Sequence, residues 1–280
     1  MGAGALVAAA LLAPASARAA SERVAALQVG LRAHGMYAGT VDGVPGPGTA
    51  LGVRRLQARA GLLVDGIAGP RTRRALGALG RHPVGSRPLR LGMTGFDVAA
   101  LQFALETHGF PCGTVDGGFG WHTDAALRRA QAFYGLTADG VAGPATLAAL
   151  RNPPVRWTAR ILRPIAAPAG DRYGPRAAGF HPGVDFPAAT GTPVHAAASG
   201  RVVFAGYDDG YGLTVVIDSG YGLRTRYAHL SSAAVPLGRY VAAGTLVGRV
   251  GATGFATGPH LHFEVSIRGA NADPAPALGL

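Results

Sequence analysis

An internal repeat constrains this chain more than any other feature. Leu27-Gln28 recurs 74 residues on as Leu101-Gln102, and the same displacement carries Gly35 to Gly109 and Val41-Asp42-Gly43 to Val115-Asp116-Gly117. It also maps Arg54-Arg55 to Arg128-Arg129, Gln57 to Gln131, Asp65-Gly66 to Asp139-Gly140, Gly69-Pro70 to Gly143-Pro144 and Leu76 to Leu150, without a gap. With two copies this is a tandem duplication of a small domain, because a solenoid needs at least three units to bury its faces.

Each copy reads as three helices. In the second, Val98, Leu101, Gln102 and Leu105 recur at helical spacing until Gly109 interrupts them. The loop Val115–Gly120 precedes a second helix, with Thr123 at the expected N-cap and Ala126, Leu127, Ala130 and Phe133 on its apolar face. Gly135 closes it, and Pro144 opens the third helix at a position where the missing N–H costs nothing. Units of about 60 residues are small but sufficient for a core.

The remainder changes period. Gly200–Gly206 reads as a strand bounded by glycines, and Leu213–Asp218 and Leu223–Ala228 flank Ser219-Gly220-Tyr221-Gly222 as a hairpin. Tyr240-Val241 and Thr245–Val250 add two short strands. The chain is therefore expected to be multidomain: two small three-helix all-α domains followed by an antiparallel β-rich domain. The expected division is a leader over 1–20, repeats over 21–80 and 88–151, linkers over 81–87 and 152–160, and the β-rich domain over 161–280. The leader reading rests on the apolar run Ala3–Ala13 and the small-residue site Ala17-Arg18-Ala19. That run is too short to span a bilayer, and no later stretch is apolar enough.

Chemistry concentrates near the C-terminus. His181 and Asp185 lie in a His-Pro-Gly-Val-Asp run, and His260-Leu261-His262 opens an alternating strand. Residues i and i+2 of a strand share a face, so both imidazoles project to one side and Leu261 and Phe263 to the other. A catalytic zinc takes three nitrogen or oxygen ligands and leaves a position for water. Two histidines and a carboxylate meet that need, with a further histidine left for proton transfer. His195, in Thr192–Ala196, has no partner in this pattern and reads as structural.

Three blocks together resemble the lysostaphin-type zinc metallopeptidases, which cut peptide cross-links of bacterial cell walls: Phe180–Phe186, Tyr227-Ala228-His229-Leu230 and Gly258–Val265. The resemblance implies that His181, Asp185 and His262 hold one Zn2+ and that His229 and His260 are catalytic. It leaves open which of the two is general base and which serves the oxyanion or the leaving amine. Tyr173, Arg176 and Tyr227 are candidate neighbours of the site. Both repeats resemble the three-helix peptidoglycan-binding domain, although the first has Val44-Pro45-Gly46 where the second has Gly118-Phe119-Gly120.

The implied protein is a secreted zinc endopeptidase of the cell wall or periplasm, anchored on peptidoglycan. The alternative is a non-catalytic wall-binding activator of a separate amidase; such proteins usually lose zinc ligands, and all three are present here. The formal net charge is +11 with no lysine, so arginine carries all the cationic charge of the side chains. Such a balance suits polyanions, here anionic wall polymers or lipid surfaces. Nucleic acid is not expected as a partner, because no stacking motif or nucleic-acid module accompanies the charge. Cys112, the single cysteine, allows no intramolecular disulfide and reads as a buried inert thiol.

Overall fold

In the computed structural model, residues 20–152, 160–177 and 179–280 are described. The leader reading and most of the second linker lie outside them. The first repeat forms α1 (Glu22–Ala33), α2 (Pro47–Arg59) and α3 (Pro70–Ala75), with a 3₁₀ turn at Gly77–Gly80. The second forms α4 (Phe96–Thr107), α5 (Trp121–Phe133) and α6 (Pro144–Ala149).

A buried glutamine organises every half of each repeat. Gln102 accepts from the Gly117 N–H at 2.8 Å and donates to Asp116 at 3.0 Å and to Thr123 at 3.2 Å. Gln28 makes the same contacts to Gly43, Asp42 and Thr49. Gln57 makes them to Gly66, Asp65 and Thr72, and Gln131 to Gly140, Asp139 and Thr146. Each copy is thus itself a pair of half-units in which a helical glutamine clamps an Asp-Gly loop and the start of the next helix. The clamp also displaces Thr123 from its expected role. The helix is capped by Gly120 without a side-chain bond, and Thr123, inside the first turn, is used to satisfy the glutamine instead. Phe119 of the Gly-Phe-Gly mark is buried core.

The two repeats are not beads on a string. Ala25, Ala26 and Val29 of α1 share one apolar cluster with Phe96, Ala99, Ala100 and Phe103 of α4. The second repeat also meets the β-rich domain: Ala270 packs into its core, and the Asn271 N–H donates to the Gly109 carbonyl at 2.8 Å. Gly109 has φ +83°, and a Cβ there would strike the Asn271 carbonyl, so a side chain is excluded on two grounds.

The β-rich domain opens with a two-stranded hairpin, β1 (Gly174–Arg176) and β2 (Gly179–His181). An antiparallel sheet follows: β3 (Val184–Pro187), β4 (Pro193–His195), β5 (Gly200–Asp208), β6 (Gly212–Asp218), β7 (Leu223–Ala233), β8 (Tyr240–Val241), β9 (Leu246–Val250), β10 (His260–Ile267) and β11 (Ala270–Ala272). The expected hairpin is β6–β7, paired from Asp218↔Arg224 onward. A short α7 (Ala275–Leu278) ends the chain.

β10 lies between β7 and β3, and the register sets His262 opposite both Asp185 and Ala228. Leu261, Phe263 and Val265 on its other face are fully buried beside Val184 and Phe186. Each such side chain contributes about 1.5–3 kcal/mol of burial, and a one-residue slip would turn all of them outward. The hydrophobic pattern therefore aims the histidines.

Candidate metal centre

His181 ends β2, Asp185 lies on β3, His260 and His262 on β10, and His229 on β7. All five sequence-predicted site residues line one groove of about 330 Å³, shared with Arg176, Phe180, Tyr211 and Phe255. None of its lining residues belongs to the repeats.

Three donor atoms converge. His181 Nε2, His262 Nδ1 and Asp185 Oδ1 are 3.0, 2.7 and 3.1 Å apart, pair by pair. Ligands at 2.0–2.1 Å around a tetrahedral ion stand about 3.3 Å from one another. The hydrogen bonds behind them define the protonation. His181 Nδ1 lies 2.9 Å from the Arg172 carbonyl, which can only accept, so that nitrogen carries the proton and Nε2 a lone pair. His262 Nε2 lies 3.0 Å from Glu264 Oε1, which fixes the opposite tautomer and leaves the lone pair on Nδ1. With the ring neutral, two lone pairs and a carboxylate oxygen face each other, and positive charge between them, a proton on His262 Nδ1 or a metal ion, reconciles all three.

The electrostatics favour positive charge between these groups. Burial disfavours a charged His262, yet bonds to Asp185 and Glu264 outweigh it and push the imidazole up to about 9. Burial also acts against the Asp185 carboxylate, but hydrogen bonds and charge from His181 and His262 hold it far below the usual range.

His229 and His260 form the other half of the group, with ring centroids 4.7 Å apart. His229 Nδ1 donates to the Thr253 carbonyl at 2.7 Å and His260 Nδ1 to the Gly258 carbonyl at 2.8 Å. Each thus carries its lone pair on Nε2, and His260 Nε2 lies 3.8 Å from Asp185 Oδ1. Burial lowers the pKa of His229, favouring the neutral ring. The sequence suggests His229 at the end of a strand. It sits instead inside β7 at a register shift, with φ +58°, a left-handed conformation uncommon for histidine. The irregularity turns its side chain out of the ladder and toward the groove.

Of the candidate neighbours, only Arg176 reaches the group, donating to Asp185 Oδ2 at 3.0 Å and leaving Oδ1 for the centre. Tyr173 stacks edge-on against Phe180, and the Tyr227 hydroxyl accepts from the Ala197 N–H in the core. His195 lies outside the groove. Sequence reasoning missed Glu264, although its place two residues past His262 puts it on the same face. Glu264 accepts from Tyr211 at 2.7 Å and faces Arg226 at 3.4 Å, and Arg226 in turn pairs with Asp208. Arg226 comes from the hairpin and Tyr211 from the turn before β6, so spacing alone could not have assembled them.

Residues 179–274 match the family Peptidase family M23, and residues 20–76 and 94–150 each match "Putative peptidoglycan binding domain". The chain carries an M23 peptidase domain behind two peptidoglycan-binding domains. The chain is 43% identical over 112 residues to the DD-carboxypeptidase/endopeptidase Mpg of Neisseria meningitidis serogroup B, covering 39% of this chain and 26% of that protein. Over 118 residues the chain is 38% identical to the murein hydrolase activator EnvC of Escherichia coli K12, covering 41% and 28%. The matched stretch thus spans about a quarter of the length of these relatives. The catalytic domain of lysostaphin from Staphylococcus simulans is a structural neighbour of the M23 domain, with 39% identity and a TM-score of 0.39, covering 41% of this chain and 93% of that one.

Proposed function

We propose that this protein is a secreted zinc endopeptidase that hydrolyses peptide cross-links of peptidoglycan, acting outside the cytoplasm and held on its polymer by the helical repeats. The carrying observation is the convergence of three lone-pair donors beside two further imidazoles whose Nε2 atoms face the same groove. His181, Asp185 and His262 would hold one Zn2+. When bound, the ion supplies Lewis acidity, polarising the scissile carbonyl and acidifying the attacking water.

The chain's own residues do the rest. The His229 and His260 rings present their Nε2 atoms over the groove. One takes a proton from the attacking water, and the pair returns a proton to the leaving amine or hydrogen-bonds the developing oxyanion. Backbone carbonyls on both Nδ1 atoms keep these rings from turning. Arg176 keeps Asp185 oriented through Oδ2. Because no repeat residue lines the groove, the repeats suit a tether better than a cover.

The decisive experiment incubates the full chain with purified sacculi and follows released stem peptides. Release is expected with zinc, to be lost with a chelator and to return on adding zinc. Release that persists in chelator would overturn the zinc reading. No release, with stimulation of a separate amidase, would instead assign the role named for EnvC.

A further inference from the structure

The repeats are similar in fold and opposite in charge. Residues 20–76 hold eight arginines against three carboxylates, whereas the aligned residues 94–150 hold two against five. Both come from one arginine-using chain, so a general preference for arginine over lysine cannot produce the difference.

The excess sits on two helices. Arg54, Arg55 and Arg59 are exposed on α2, and Arg71, Arg73 and Arg74 on α3. Among the described residues no carboxylate lies within ion-pair distance of any of the six. In the second repeat Arg128 pairs with Asp124 at 2.7 Å; the first repeat has Ala50 in the place of that aspartate, so the aligned Arg54 is left unneutralised. Arg59, Arg71, Arg73 and Arg74 align with Phe133, Ala145, Leu147 and Ala148.

Exposed apolar side chains accompany the charge. Leu63 is 81% exposed and Ile67 68%, with Leu51 and Val64 about half exposed. Their aligned residues are Thr137, Val141, Ala125 and Ala138, none of which is a large exposed hydrophobic group. The two kinds of residue share a surface. Leu51, Arg55 and Arg59 recur every four residues along the exposed stripe of α2. The Arg54 side chain lies over Gly66, beside Ile67.

We propose that the first repeat docks on an anionic lipid bilayer surface, with the arginines on headgroup phosphates and Leu63, Val64 and Ile67 entering the interface. A linear phosphate polymer would use the guanidinium groups but offer the aliphatic side chains nothing. A bilayer interface takes both at once. The second repeat lacks the arginine cluster and exposes one large apolar side chain, Trp121, in place of the aliphatic group, and it is left to the wall polymer. This inference does not depend on the peptidase reading, because docking is measured without hydrolysis.

The test is co-sedimentation of the full chain with vesicles of phosphatidylcholine alone or mixed with phosphatidylglycerol, and separately with purified sacculi. Binding is expected only to the anionic vesicles, weakening with salt. Each arginine removed should cost about fivefold, so Arg54→Ser, Arg55→Ser and Arg59→Ser together cost about a hundredfold. Leu63→Ser with Ile67→Ser should remove the binding that persists at high salt. Arg128→Ser with Arg129→Ser in the second repeat should leave vesicle binding unchanged. An unaltered circular-dichroism melting curve for each variant establishes that the fold is retained. Equal binding to neutral vesicles, or no vesicle binding, overturns the proposal. Loss of sacculus binding rather than vesicle binding in the arginine variants also overturns it, and would give the surface to a wall polyanion.

Discussion

The helical repeats and the sheet groove both bury polar side chains, and they treat them in opposite ways. In the repeats every clamp closes on itself: a glutamine amide meets a backbone N–H, a carboxylate and a hydroxyl, and its donors and acceptors find complements. In the groove, His181 Nε2 and His262 Nδ1 lie 3.0 Å apart with Asp185 alongside, three atoms with lone pairs that need a proton or a metal ion between them. A satisfied buried network specifies a fold, whereas one whose lone pairs converge specifies a ligand. The contrast separates what holds this molecule together from what it does.

The sharpest way to break it is to delete a convergent donor. His262→Ala should abolish peptide release from sacculi and zinc co-purification while the helical repeats melt as before. If the variant still retains one zinc per chain by elemental analysis, the donor set is misassigned. His229→Ala and His260→Ala should each lower the turnover of a cross-linked muropeptide by about 10²–10⁴, the range for a lost proton-transfer group, with zinc content unchanged. A parallel loss of zinc would make them ligands.

Glu106 on α4 lies outside the groove yet does not fit the self-satisfied class either. Its Oε1 accepts from the Cys112 N–H at 2.8 Å, while Oε2 is buried without a partner. Burial pushes the carboxyl up to about 7, with bonds to Cys112 and Gly113 and the charge of Arg129 opposing, and Tyr173 of the β-rich domain also senses it. The folded state therefore binds a proton that the unfolded state releases near 4.5. Stability should be greatest below the unfolded value and fall as pH rises from there to about 7, by up to about 3 kcal/mol, levelling off above. Denaturation midpoints across that range should lose this slope in Glu106→Gln, and an unchanged slope would show that the carboxyl is already ionised in the fold.

Breaking a clamp should cost stability alone. Gln102→Leu strands the Gly117 N–H and the Asp116 and Thr123 groups, worth about 1–3 kcal/mol in urea unfolding. Cleavage of a soluble peptide by the folded variant should be unaffected. A large loss of that cleavage would mean the repeat shapes the groove after all.

The parts legible in the sequence were those carried by local pattern. The 74-residue displacement gave the duplication, helical spacing gave three helices per copy, and His260 and His262 at i and i+2 on a β-rich stretch gave two imidazoles on one face. What escaped was carried by contacts distant in sequence. The fourfold glutamine clamp joins residues up to 21 apart through loops. The shared α1–α4 core joins domains that read as separate. The left-handed turn at His229 follows from how β6 and β7 fall out of register, which no residue at that position announces. Thr123 reads as a cap in the sequence because its hydroxyl has two uses, and only the distant Gln102 selects between them.

Glu264 tests the comparison most finely, since it belongs to both classes. It is satisfied by Tyr211 and Arg226 as a clamp residue would be, and it spends its remaining acceptor capacity fixing the tautomer of His262. Glu264→Gln preserves shape and one acceptor oxygen but removes the charge that draws the proton onto Nε2. Outer-shell partners of metal-bound histidines are worth 10–100-fold in metal affinity, and a variant that keeps the hydrogen bond belongs at the low end, about tenfold. Competition against a fluorescent chelator would measure it. Unchanged zinc affinity would leave tautomer selection to geometry alone, and a loss as large as that of Glu264→Ala would mean that the negative charge, more than the hydrogen bond, holds the imidazole ready for the ion.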